Sequence, residues 1–243
     1  MSRFLVINPN TNEVMTQEIE KTVKAYIHKD NEVDVIKNTM GPESLESFYE
    51  YELAATGLIN TIGDINIESY DGVLIACFGD PGLYALKEII RVPVFGIAEI
   101  SLSTSILLGD KFAILTAQKK AVPMMSNMVR QYGLKERLAG IYSLGISVLD
   151  LEKDNDETFN LLVNTAQKAV DNGAEVIILG CAGLTGFNER LEKSLSITVI
   201  DPVKTGFKIM EAIIESNIKI ARNGLYKPPN SKKIIGMEFI KLL

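Results

Sequence analysis

The sequence predicts an α/β fold: two pseudo-symmetric, doubly wound lobes with mostly parallel sheets and a ligand cleft between them. Three observations carry this. Short, continuous apolar runs alternate with stretches of helical spacing, the pattern of buried parallel strands joined by crossover helices. The opening run Arg3-Phe-Leu-Val-Ile-Asn8 has a counterpart in Lys111-Phe-Ala-Ile-Leu-Thr116. The stretch Asp71-Gly-Val-Leu-Ile-Ala-Cys-Phe-Gly-Asp-Pro-Gly82 has a partial echo in Glu175-Val-Ile-Ile-Leu-Gly-Cys-Ala-Gly-Leu-Thr-Gly186. Phe4 precedes Cys77 by 73 residues and Phe112 precedes Cys181 by 69, so the two copies have nearly the same internal spacing.

In order, Arg3 to Asn8 reads as a buried strand. The turn Asn8-Pro-Asn-Thr-Asn12 then supplies an N-cap for a helix carrying Val14, Ile19, Val23 and Ile27. Glu32 to Lys37 alternates, as an outer strand does, and Asn38 to Ser47 is a polar loop leading into a helix through about Ile62. Gly72 to Ala76 is a central strand. Pro81 is placed in the first turn of a helix running through Ile90. Val92 to Ile97 is a strand, and Glu99 to Leu108 a helix ended by Gly109.

The pattern then restarts. Lys111 to Thr116 is a strand, a helix runs from about Lys120 to Gly133, and Ala139 to Leu144 is strand-like. Asp154, Asn155 and Asp156 offer caps for a helix with Phe159, Leu162, Val163, Ala166 and Val170 on its apolar face, ended at Gly173. Val176 to Leu179 is the second central strand, Phe187 to Lys193 a helix, and Ile197 to Ile200 a strand. Asp201-Pro202 opens a helix expected to reach Gly224, and the apolar residues of Lys232 to Leu243 are expected to pack back on the body. The lobes are drawn as 1–98 plus 204–243, and 99–203.

Composition bounds the function. With 47% hydrophobic and 23% charged residues, 243 residues suffice for a real core. The net charge is −6, and no Lys/Arg cluster exceeds Lys119-Lys120 or Lys232-Lys233, so nucleic acid is excluded as an expected partner. No apolar run reaches the length of a membrane span and the N-terminus lacks a signal-peptide core, so no membrane partner and a cytoplasmic location are expected. Two cysteines in a reducing compartment are expected as thiols. His28 is the single histidine and there is no Cys/His cluster, so no metal site is expected.

Those two cysteines, Cys77 and Cys181, end equivalent strands of the two copies. Ligands in such sheets bind beyond the carboxyl ends of strands, so both thiols are expected at one interlobe cleft. A cysteine at a strand end is commonly a small core hydrophobe. Two at matched sites, each beside glycine, instead fit a racemase, which removes a proton from one face of a carbon and returns one to the other. A helix N-terminus after each strand is expected to lower the thiol pKa. The amides of Phe78, Gly79, Ala182 and Gly183 are candidate donors to the carbonyl that gains charge. Asp80 either assists the loop and its thiol or caps a helix, and Asp201 has the same two readings. Met124, Met125 and Met128 are expected in core or interface, and His28 at the surface.

Ala76-Cys-Phe-Gly-Asp-Pro-Gly-Leu83, Leu179-Gly-Cys-Ala-Gly183, Ile7-Asn-Pro-Asn-Thr11 and Gly41-Pro-Glu-Ser-Leu-Glu46 closely resemble the hydantoin racemase family, including allantoin racemases. That family lies within the cofactor-independent aspartate/glutamate racemase superfamily. The resemblance implies a racemase of 5-substituted hydantoins or a related ureide such as allantoin, with Cys77 and Cys181 as base and acid, no cofactor, and a homo-oligomeric state. It places Asn10, Thr116 and the amides around both cysteines in the substrate pocket, with Phe78 and Met40 as candidates for shaping it around the C5 substituent. Amino-acid racemases of the superfamily typically show Cys-Asn-Thr and Cys-Thr followed by Glu or His. Cys-Phe-Gly and Cys-Ala-Gly stand here, which favours a neutral ring over aspartate or glutamate. A non-catalytic binder of small metabolites is the reading from a different class.

Overall fold

A computed structural model describes residues 1–151 and 155–237 of the chain. It contains two four-stranded, all-parallel sheets of identical topology. The first has the order β2-β1-β3-β4, from β1 (Arg3–Asn8), β2 (Glu32–Lys37), β3 (Gly72–Ile75) and β4 (Val94–Gly96). The second has the order β6-β5-β7-β8, from β5 (Phe112–Thr116), β6 (Leu138–Ser143), β7 (Val176–Leu179) and β8 (Thr198–Ile200). The repeat seen in the sequence is therefore a repeat of sheets.

The continuous apolar runs are explained by two buried faces. Phe4 and Val6 of β1 enter one apolar cluster while Leu5 and Ile7 enter another. Ile177 and Leu179 of β7 join the first cluster, and Val176 and Ile178 a third. Side chains alternate across a strand, so a strand covered on both sides must be apolar throughout. Each Leu or Ile so buried contributes about 1.5–3 kcal/mol. The first cluster is continuous across both sheets and includes Phe207, whose ring meets Phe4 edge-on at 5.6 Å.

The crossovers are α1 (Glu13–Tyr26), α2 (Phe48–Gly63), α3 (Leu83–Ile89) and α4 (Ile97–Leu108) in the first half. They are followed by α5 (Ala121–Gln131), α6 (Asn155–Asp171), α7 (Asn188–Leu195) and α8 (Pro202–Glu215). Asn12 caps α1, Ser47 caps α2, and Asp201 caps α8 through the amides of Val203 and Lys204, with Pro202 in the first turn. His28 is exposed, while Met124 and Met125 are buried.

Four expectations are corrected. Pro81 precedes α3, which begins only at Leu83 after Gly82 adopts a left-handed turn. The strand expected over Val92 to Ile97 is limited to Val94–Gly96, and α4 starts at once at Ile97. α8 stops at Glu215 rather than Gly224, because Asn217 takes a left-handed conformation (φ 56°) that a helix cannot continue through. Within the tail, residues 231–237 are exposed, with Ile235 79% accessible. The cap expected at Asp154 and the last six tail residues lie outside the described residues.

Parallel register fixes where the site must be. Ile7 pairs with Ile75, and Leu115 with Leu179, so β1 and β3 end side by side, as do β5 and β7. In each sheet the first strand connects to a neighbour on one side and then the chain returns on the other. That reversal leaves a crevice at the carboxyl ends.

Candidate active site

The four strand ends meet at one cavity of about 40 Å³. Asn10 comes from the loop after β1, Cys77 and Phe78 from that after β3, Thr116 from the end of β5, and Cys181 and Ala182 from beyond β7. Gly79 borders an adjoining cavity, and Gly183 a groove on the other side of Ala182. Met40, 42% exposed, borders neither the thiol cavity nor its neighbour.

Asn10 is held from below. Its Oδ1 accepts from Asn8 Nδ2 at 2.7 Å and from the Asn12 amide at 2.9 Å. Its own Nδ2 reaches only the Met15 sulfur among the described residues, at 3.2 Å, and a thioether is a weak acceptor. Asn10 thus presents at the cavity an amide N–H met only by a weak acceptor among the described residues.

The surroundings of Cys77 favour its thiol form in this cavity. Burial pushes its pKa well above the ordinary range, and the negative charge of an ionised Cys181 and of Asp80 raises it further; the Gly79 amide, donating to the sulfur, opposes this. The expectation of a pKa lowered by a following helix is corrected for Cys77. Five residues separate it from α3, and the dipole acts only within about the first turn. Cys181 is followed by a single 3-10 turn, Ala182–Leu184, and α7 starts only at Asn188. Because charge on one sulfur opposes charge on the other, the pair favours one thiolate facing one thiol over two thiolates.

Asp80 faces away from the thiol cavity. Its carboxylate accepts from the Ala98 and Glu99 amides at 3.0 and 2.7 Å, capping α4, while its own amide donates to the Cys77 carbonyl at 3.0 Å. A Cβ on Gly96 would lie 2.2 Å from Asp80 Cγ, so glycine there makes the approach possible. Burial raises the Asp80 pKa to about 7 against the two amide bonds that lower it. Asp80 therefore anchors the Cys77 loop to α4.

Three wall residues were not singled out from the sequence as site candidates. Glu46 accepts from Gln118 Nε2 and, at 3.1 Å, from the Val148 amide, tying the loop before α2 to the second sheet's loops. Gln118 lines the same cavity. Tyr51 of α2 faces both sulfurs: burial, then the charges of Cys77 and Cys181, hold its phenol well above its ordinary pKa. Glu46 closes the Gly41-to-Glu46 loop with no local sign of a role, and no local pattern marks Tyr51. Among the described residues no group of three or more His, Cys, Asp or Glu is arranged to ligate a metal, and no helix is long and apolar enough to cross a membrane.

Residues 4–210 match the model of the Asp/Glu/Hydantoin racemase family. A hydantoin racemase from Pseudomonas sp. strain NS671 is 37% identical over 235 residues, 96% of this chain and 94% of the relative. Among solved structures, an allantoin racemase from Klebsiella pneumoniae superposes with a TM-score of 0.93 at 29% identity, covering 100% of this chain and 99% of that one. An allantoin racemase from Pseudomonas fluorescens gives 0.92 at 30% identity, over 96% and 100%.

Proposed function

The chain belongs to the Asp/Glu/hydantoin racemase family, and on that premise we propose that it interconverts the enantiomers of 5-substituted hydantoins or a related ureide such as allantoin by proton transfer between Cys77 and Cys181. It is an isomerase of the racemase type. The observation that carries the mechanism is that two thiols from equivalent loops of two sheets share one cavity.

C5 of a hydantoin is acidified by the adjacent C4 carbonyl. The thiolate on one face takes the C5 proton, and the electron pair left behind spreads onto the carbonyl oxygen. The thiol on the other face then gives its proton to C5. The product is the mirror image, and thiol and thiolate have exchanged places. The raised pKa of Cys77 suits it to be the proton donor at rest. The Asn10 Nδ2 donor is suited to a ring carbonyl, stabilising the enolate charge.

The wall chemistry favours a neutral ring. Glu46 is the one charged side chain on the cavity wall among the described residues, and it is already engaged by Gln118 and Val148. A free amino acid would require a cationic partner for its carboxylate, so aspartate or glutamate is the poorer fit. Polarimetry with single enantiomers of hydantoins, allantoin, aspartate and glutamate tests this: loss of rotation is expected with ureides, and loss with the amino acids alone would reverse the assignment.

A further inference from the structure

What Asn10 can do depends on which end of its side-chain amide meets the cavity. A primary amide has an accepting oxygen at one end and two N–H donors at the other, and the ends are nearly alike in shape. Packing alone therefore does not choose between them; hydrogen-bond partners do. The partners around Asn10 allow one solution.

Two backbone donors fix it. The Asn10 backbone N–H donates to Asn8 Oδ1 at 3.3 Å, and the Asn12 backbone N–H donates to Asn10 Oδ1 at 2.9 Å. A backbone N–H cannot accept, so each of these two oxygens must lie where it does. Asn8 Nδ2 is then left facing Asn10 Oδ1 at 2.7 Å and Thr16 Oγ1 at 2.9 Å. Thr16 accepts there because its own proton goes to the Asn12 carbonyl at 2.6 Å. Asn8, at the end of β1, and Thr16, in α1, are both buried, so water does not compete for these bonds. With Oδ1 engaged twice, Nδ2 is the end of Asn10 that remains for the cavity.

We propose that Asn8 is a positioning residue for racemisation: standing outside the cavity wall and backed by Thr16, it locks the Asn10 amide with its donor toward the cavity, and so selects a substrate that presents a carbonyl oxygen there. The inference rests on the reading of Asn10 as donor to the enolate oxygen. A donor fixed before the reaction stabilises developing charge without reorganising. An Asn10 amide free to turn would present its oxygen part of the time and repel that charge. The backbone of the loop is held separately. Asn38 Nδ2 donates to the Pro9 carbonyl at 2.6 Å and to the Ala54 carbonyl at 3.0 Å, and the Asn38 backbone N–H donates to the Asn8 carbonyl at 2.9 Å. Loss of the Asn8 side-chain donor therefore releases the Asn10 amide while the loop stays anchored.

The test is a double-mutant cycle on the racemisation of 5-methylhydantoin and allantoin, with Asn8→Asp, Asn10→Ala and the two combined. Asn8→Asp keeps an oxygen for the Asn10 N–H but puts an acceptor where the donor to Asn10 Oδ1 stood. Asn10→Ala is expected to lower kcat about 100-fold, the effect of removing one donor to a developing oxyanion. Asn8→Asp is expected to lower kcat by about tenfold or more with KM changed by less than about threefold, the mark of an interaction made in the transition state. In the Asn10→Ala background it is expected to change kcat by no more than about twofold, because the two residues act as one unit. Should Asn8→Asp fail to fold, Thr16→Val reads the same lock: it removes the hydroxyl that holds Asn8 Nδ2 and is expected to lower kcat in the wild type but not in the Asn10→Ala background, while Thr16→Ser restores it. An unchanged kcat in the folded Asn8 or Thr16 variant, or an equal loss with and without Asn10, overturns the lock and leaves Asn10 standing as the donor. Wild-type kcat in Asn10→Ala, or no racemisation of either ureide by the wild type, overturns the lock and the reading beneath it.

Discussion

The ring of Tyr51 occupies the place that a side chain on Gly79 would take: a Cβ there would lie 2.4 Å from Tyr51 Cε2 and Cζ. The glycine two residues after Cys77 is thus required by a residue on α2, and the thiol loop and the ring form one packed unit. Gly79→Ala is expected to displace the ring and shift the loop that donates to the Cys77 sulfur. Overpacking of this kind costs about 1–3 kcal/mol. Thermal melting should show that loss, and racemisation should fall at least tenfold. A variant with wild-type melting and turnover would mean the contact is slack.

Glu46 accepts from both a side chain and a backbone amide of the second half of the chain. Glu46→Ala leaves the buried Val148 amide and the Gln118 side chain without their acceptor, a loss of about 1–3 kcal/mol. Because both groups line or flank the cavity, KM is expected to rise. Gln118→Ala should add little to Glu46→Ala, since the two share one interaction. Additive effects on melting and KM would show that they act separately.

Much of the fold was legible because two-sided burial forces apolar runs without alternation, as Phe4 to Ile7 and Val176 to Leu179 show. The matched positions of Cys77 and Cys181 were legible because the duplicated strands kept their spacing. Tyr51 and Glu46 were not, since only the packing of α2 and its leading loop brings them to the thiols from 26 and 31 positions earlier than Cys77. The direction of the Cys77 pKa was misread for a related reason: local order suggested a helix dipole, whereas burial, a tertiary property, outweighs it. The end of α8 was missed because a single left-handed residue, Asn217, leaves the apolar pattern beyond it intact.

Asp80 gives a pH signature. Its folded pKa of about 7 lies above its unfolded value near 3.8, so the native state holds the proton more tightly. The associated stability is present below about pH 4 and is lost as pH rises through about 7. Asp80→Asn removes that titration along with part of the α4 cap, a loss of about 0.5–2 kcal/mol for a cap. The melting difference between wild type and variant should be largest at about pH 4 and shrink steadily as pH rises toward about 8. A difference that grows with pH would contradict the raised pKa.

The protonated state of Cys77 predicts its reactivity. An ordinary thiol reacts with iodoacetamide at a rate that levels off above its pKa near 8.5. With the Cys77 pKa raised by burial and by Cys181, its alkylation in the substrate-free enzyme should still be climbing with pH beyond 9. Mass spectrometry of the labelled peptide reads this directly. A plateau below pH 8 would require a stabilised Cys77 thiolate instead.

Exchange in D₂O tests the two-thiol relay most directly. With single enantiomers of 5-benzylhydantoin, the wild type should racemise either hand with deuterium entering C5. Cys77→Ser and Cys181→Ser should each abolish racemisation while retaining at most slow deuterium exchange into one enantiomer, a different one for each variant. Full racemase activity in either single variant would show that the inversion does not pass between these two sulfurs.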